Sequence, residues 1–155
     1  MDRGTKGFTL IELLVALAIF LILITMAVPA FTSSVQRTKA DTEVGDLRRA
    51  LSYARLEAID RGITTQVLPK GGAWTGELTV SDISSSPANV LRVVPAMSSG
   101  ASLALTSGVT AISFNNLGGL AAPATAVAIT YVLGAQSRTL NVCLNGRILL
   151  GGNCG

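Results

Sequence analysis

The sequence predicts an α+β protein in which one long N-terminal helix packs on a mostly antiparallel β-sheet head. Three observations carry that expectation. The chain opens with an almost uninterrupted apolar run, the run leads into a stretch with helical hydrophobic spacing, and after Gly62 the apolar residues recur at every second position instead. With 155 residues, 49% hydrophobic and only 14% charged, the chain can build one compact domain with an appendage and is too apolar for a disordered polyampholyte. Much of the apolar content lies before Phe31, which allows one membrane span and excludes a multi-span protein.

The first element is the run from Phe8 to Phe31. As helix it spans roughly 36 Å, enough to cross a hydrocarbon core of about 30 Å. Arg3 and Lys6 precede it and no basic residue follows until Arg37, so the positive-inside rule places the N-terminus in the cytoplasm and the remainder outside. A secretory signal peptide ending at "VPA" before Phe31 is the alternative. Against it stands Glu12, because a carboxylate at membrane depth costs about 2.5–3.5 kcal/mol on insertion scales and is normally retained for a partner.

Beyond Pro29 the pattern becomes amphipathic. Val44, Leu47, Leu51, Ala54 and Ala58 fall at spacings of three and four on one face, while Arg48, Arg49, Arg55, Glu57 and Arg61 lie mostly elsewhere and read as a solvated face. Glu57 and Arg61 form a favourable i,i+4 pair worth about 0.2–0.5 kcal/mol. Gly62 after Arg61 is a helix stop. The reading is one helix from Phe8 to about Arg61, roughly 80 Å long at its full extent, with Pro29 and Gly45 as the points where it would bend or loosen.

Seven segments then read as strands: Ile63–Leu68, Trp74–Val80, Val90–Val94, Ala101–Leu105, Val109–Phe114, Ala126–Val132 and Arg138–Leu144. The stretches "SDISSSPAN" and "NNLGGLAAPAT" between them read as loops. A sheet laid against the amphipathic half of the helix is the economical arrangement.

Two stretches beyond the general pattern point to a family. "KGFTLIELLVALAIF" closely resembles the prepilin motif of type IV pilins and type II secretion pseudopilins, with a short basic leader ending at Gly7, Phe8 as the first mature residue and Glu12 at the fifth mature position. Pro29 matches a proline that many type IV pilins carry. "YARLEAIDRG", "ISFNNLGGL" and "LNVCLNGRILL" resemble the GspH/FimT branch, which includes FimU-like minor pilins.

The resemblance implies a type IV pilin-like fold whose first half is transmembrane. It divides the chain into a leader peptide at 1–7, a transmembrane and filament-core helix at 8–31, an amphipathic head helix at 32–61 and a β-rich periplasmic head at 62–155. A prepilin peptidase would cut between Gly7 and Phe8 and methylate the new amine of Phe8. Cleavage creates an ammonium at a helix start, where the macrodipole favours an anion, and Glu12 is placed to answer it. In the family this carboxylate pairs with the amine of an adjacent subunit; local charge balance within one chain is the alternative. Implied partners are other minor pilins or pseudopilins, the major subunit and the inner membrane, crossed once, followed by a place in the pilus or pseudopilus at its tip.

The residues offer little chemistry. Without histidine no Ser/His/Asp set can be built, and two cysteines are too few for a zinc or iron site, so neither a metal, a cofactor nor an enzymatic activity is expected. The glycine pairs Gly71-Gly72, Gly118-Gly119 and Gly151-Gly152 lack the lysine and helix of a phosphate loop and read as turns. Cys143 and Cys154 suit an oxidising compartment, where the loop they could close is worth about 2–3 kcal/mol; two free thiols are the alternative.

Some FimT-like relatives bind DNA through a C-terminal motif of glycine, arginine, any residue and arginine. Here "GRIL" keeps Arg147 but has Leu149 at the second arginine. With the net charge at +3, and Arg138 and Arg147 as the candidate contacts, DNA is the less favoured partner. The expected function is that of a minor pilin that helps to initiate pilus assembly. A GspH-type pseudopilin of a type II secretion system, a DNA-binding minor pilin and an unrelated exported domain are the alternatives.

Overall fold

The computed structural model describes residues 7–106 and 108–155; the expected leader thus lies, apart from Gly7, outside the described residues. The chain divides into two units, Met1–Val35 and Gln36–Gly155. One helix, α1 (Leu10–Arg61), contributes to both, and it is helical through Pro29 and Gly45. Gly7, Phe8 and Thr9 precede it in non-helical backbone, two residues later than the expected start at Phe8.

In the first unit every apolar side chain of the helix is exposed. In the second, Ala40, Val44, Leu47, Ala50, Leu51, Ala54 and Ala58 are buried, which is the stripe anticipated from the spacing, extended by two alanines. The small side chains in that stripe let β-strands approach the helix closely. Its C-terminus is closed by paired bonds, Gly62 N–H to Ile59 C=O at 3.3 Å and Ile63 N–H to Ala58 C=O at 3.1 Å. This Schellman geometry requires the positive φ of 66° that Gly62 adopts.

The head holds two antiparallel sheets where a single one was expected. β1 (Thr65–Pro69), β2 (Leu78–Asp82), β3 (Asn89–Val94), β5 (Ile112–Phe114) and β6 (Leu120–Ala122) form the first, in the order β3-β2-β1-β5-β6. β4 (Ala101–Leu105), β7 (Val127–Leu133), β8 (Gln136–Val142) and β9 (Ile148–Leu150) form the second, in the order β4-β7-β8-β9. Both sheets use the same helical stripe. Leu47, Leu51 and Ala54 share one core with Val67, Val80 and Phe114 from the first sheet and Val127, Ile129 and Val142 from the second. A smaller cluster joins Ala40 and Val44 to Tyr131 and Leu133.

Two expected strands begin three or four residues late, for one shared reason. Trp74–Gly76 forms a turn, with Gly76 N–H bonded to Ala73 C=O at 2.9 Å, because the Trp74 side chain is drawn into the core. Its indole N–H donates to the Val109 carbonyl at 3.2 Å, which takes Val109 out of the ladder, so β2 starts at Leu78 and β5 at Ile112. Conversely, β6 lies in a segment expected to be loop and β9 in one where no strand is expected. Each is three residues long, below the length at which alternation can be recognised.

Candidate functional site

In the first unit the polar feature is Glu12. Thr9 caps the helix: its backbone N–H and its hydroxyl both donate to Glu12 Oε2 at 3.0 Å, and Glu12 N–H donates back to Thr9 Oγ1 at 3.3 Å. "TLIE" is therefore a capping box, a Thr-x-x-Glu pattern that satisfies otherwise orphaned N–H groups. The pattern is legible in the sequence from the spacing of Glu12 to Thr9. The capping bonds orient the carboxylate without neutralising it. Around it Phe8, Ile11, Val15, Ala16 and Ile19 line an open apolar groove. Gly7 and Phe8 are exposed, and Phe8 keeps 85% of its surface accessible. The helix is long and apolar enough to cross a membrane once.

In the head, the three stretches that resemble one branch of pilins converge. Arg55 Nε–H donates to the Gly118 carbonyl at 2.8 Å, linking the helix to the β5–β6 turn. Asn115 shapes that turn, its Oδ1 accepting from Leu117 N–H at 3.0 Å and Gly119 N–H at 2.9 Å. The β8–β9 turn lies against it: a Cβ on Gly146 would fall 1.8 Å from Gly118 O and 2.8 Å from Arg55 Nε. Leu120 N–H donates to Leu144 C=O at 2.9 Å, so the two turns also bond across the gap between the sheets. Arg55 had been assigned to the solvated face; helical spacing alone could not show that a turn distant in sequence would supply it with a carbonyl.

The remaining predicted residues are distributed. Cys143 and Cys154 form a disulfide with Cα atoms 5.3 Å apart, tying the tail to the end of β8. Asn141 Nδ2–H also donates to Gly152 O, and Gly151 N–H to Thr139 C=O at 2.8 Å, so the loop is held along its length. Arg138 lies near the start of β8 and Arg147 in the turn beyond its other end, so they do not form one site. Arg138 pairs with Asp41 at 2.7 Å, and that hydrogen bond holds the Asp41 carboxyl below its usual value. The Glu57–Arg61 pair forms as expected. Among the described residues no group of three or more His, Cys, Asp or Glu side chains could hold a metal ion.

One further polar cluster was not foreseen. Glu43 on the helix accepts from Ser98 N–H at 2.9 Å and from the buried Tyr131 hydroxyl at 2.6 Å. Desolvation opposes its charge, but the bonds from Ser98 and Tyr131 and the nearby Lys39 outweigh it and keep the carboxyl below its usual value. Burial and the same carboxylate push the Tyr131 phenol up.

The model of the family described as Type II transport protein GspH matches residues 43–147, the span that holds the Arg55 junction and every strand but β9. The chain belongs to the GspH family. A second model, the prokaryotic N-terminal methylation motif, matches residues 2–28 of this GspH-family chain. A fimbrial protein of Pseudomonas aeruginosa is 39% identical over 71 residues, 44% of this chain and 45% of that protein. The type IV narrow pilus major component PilA5 of Thermus thermophilus is 37% identical over 83 residues, 49% of this chain and 70% of PilA5. The chain thus spans about half the length of the fimbrial protein it matches.

Among solved structures, the type IV minor pilin FimU of Pseudomonas aeruginosa superposes with a TM-score of 0.65 at 22% identity, over 75% of this chain and 90% of FimU. The minor pseudopilin EpsH from the type 2 secretion system of Vibrio cholerae gives 0.57 at 16% identity, over 72% of this chain and 95% of EpsH. At these identities the likeness establishes the fold: one long N-terminal helix on antiparallel sheets, as in type IV pilins.

Proposed function

We propose that this GspH-family chain is a minor pilin, a structural subunit that enters the inner membrane as a precursor and helps to start assembly of a type IV pilus. A prepilin peptidase cuts between Gly7 and Phe8 and methylates Phe8. The helix from Phe8 to Phe31 is kept as a single span with the head in the periplasm, and it later packs among the helices of other minor pilins and the major subunit at the tip. The role is structural, without catalysis. The observation that carries this reading is the apolar helix start with one oriented carboxylate: Glu12 sits among exposed apolar side chains and is fixed by Thr9, yet lacks an ion pair among the described residues. The ammonium of an adjacent processed subunit supplies the missing charge.

Glu12→Ala tests this directly. The precursor should still be processed at Gly7, while the protein should be lost from sheared filaments by at least tenfold; undiminished incorporation would refute the assembly role. A second reading, a GspH-type pseudopilin, is favoured by the family model and by the fold shared with EpsH. Deletion of the gene separates the two, through loss of surface pili on one reading and loss of protein secretion on the other. A DNA-binding role draws less support, since Arg138 is engaged by Asp41 and lies apart from Arg147.

A further inference from the structure

The first sheet ends at β3, which pairs on one side with β2 and presents its other edge. Beside that edge a groove of about 450 Å³ separates β3 from the helix face not buried under the sheets. Gly45, Arg48, Arg49, Tyr53, Leu56 and Arg92 line it, with no carboxylate in its wall. Arg92 lies over the Tyr53 ring at 5.4 Å, and Arg49 pairs with Asp46, but neither Arg48 nor Arg92 has an ion pair among the described residues.

Register assigns the two faces of β3. Arg92 and Val94 are opposite Val80 and Leu78, on the helix side, whereas Val93 is opposite Thr79 and Val90 opposite Ser81, after a bulge that leaves both valines on the far side. Val90 and Val93 are half exposed there. The groove floor carries a glycine that this chain does not need. In a helix interior glycine is disfavoured relative to alanine, and a Cβ on Gly45 would meet nothing nearer than the Arg49 guanidinium at 3.4 Å. A residue without a side chain at a groove floor suits close approach by another chain.

We infer that this groove receives an extended segment of a different subunit, added beside β3 as a further strand of the first sheet, with acidic side chains turned toward Arg48 and Arg92 and apolar ones beside Val90 and Val93. The inference rests on the chain acting as a filament subunit. Open edge N–H and C=O groups supply the main-chain pairing, and alternate side chains give the specificity of such strand addition. A second copy of this chain does not fit the role, because its described carboxylates lie on α1 except for Glu77 and Asp82, which stand at the two ends of β2, a strand already paired on both sides.

The test uses the full chain in detergent micelles and a fluorescein-labelled acetyl-(Glu-Val)4-amide peptide, with acetyl-(Lys-Val)4-amide and a short DNA duplex as competing probes. Fluorescence anisotropy should show saturable binding of the glutamate peptide only. Arg48→Glu with Arg92→Glu should weaken it at least tenfold. Gly45→Leu, which fills the floor without changing charge, should do the same, while Arg147→Glu in the β8–β9 turn should change it less than twofold. Absence of saturable binding, an equal loss in Arg147→Glu, or tighter binding of the duplex would each overturn the proposal. If that happens while Glu12→Ala is still excluded from filaments, the groove reading fails alone and the assembly reading stands.

Discussion

At the scale of single residues, Glu43 shows how one charged side chain can tie separate parts of the head together. It bonds one loop, through Ser98, and one strand, through Tyr131, to the same turn of helix. Hydrogen bonds to a charged group are each worth about 1.5–3 kcal/mol, and removing one partner leaves the other desolvated. Glu43→Gln should therefore lower the unfolding free energy by about 1–3 kcal/mol in urea titrations at neutral pH. The pH dependence has a fixed sign. The folded-state carboxyl titrates below its ordinary value of 4.5, so its contribution is complete above pH 4.5 and is lost as the pH falls through the lowered folded value. The stability gap between wild type and Glu43→Gln should close in that acidic window. A gap that is constant from neutral pH to pH 3 would mean the charge is irrelevant. Nothing in the sequence marked Glu43, because its partners are distant in the chain and neither Ser98 nor Tyr131 belongs to a motif.

At the scale of elements, the β5–β6 and β8–β9 turns are what bring the sheets together. Gly118 and Gly146 are buried with φ of 77° and 76°, and the space for a Gly146 side chain is filled by the Gly118 carbonyl. Gly72 also has positive φ, 80°, but faces open space. Alanine at Gly72 should cost only the left-handed backbone penalty of about 1–2 kcal/mol. Gly146→Ala adds a backbone collision and should cost about 4 kcal/mol or more, the range reserved for strain and overpacking in a core. Comparable losses for the two, measured by denaturant titration, would show that the junction yields to a side chain. The sequence alone marks Gly72 and Gly118 as turn residues. It did not show that two turns and Arg55 meet, since that follows from both sheets sharing one helical stripe. The strands were legible where alternation ran for five residues or more, as in β4 and β7, and illegible at β6 and β9, where tertiary pairing imposes extended backbone on three residues.

At the scale of the whole molecule, the helix is one continuous element with two solvents. Its head portion is amphipathic and buried on one stripe, and its first portion exposes apolar residues all round. That contrast is plain in the sequence, as are Glu12 interrupting the run and the Thr9-to-Glu12 spacing of the capping box. The second sheet was not, because pairing order is set by which strands reach which side of the helix stripe. A place in the filament requires that the apolar segment be kept after processing. The decisive measurement is the mass of the N-terminal peptide of the protein recovered from membranes. A mature chain that begins at methylated Phe8 and still contains Glu12 is expected. A chain that begins at Phe31, with the apolar run removed, would contradict it.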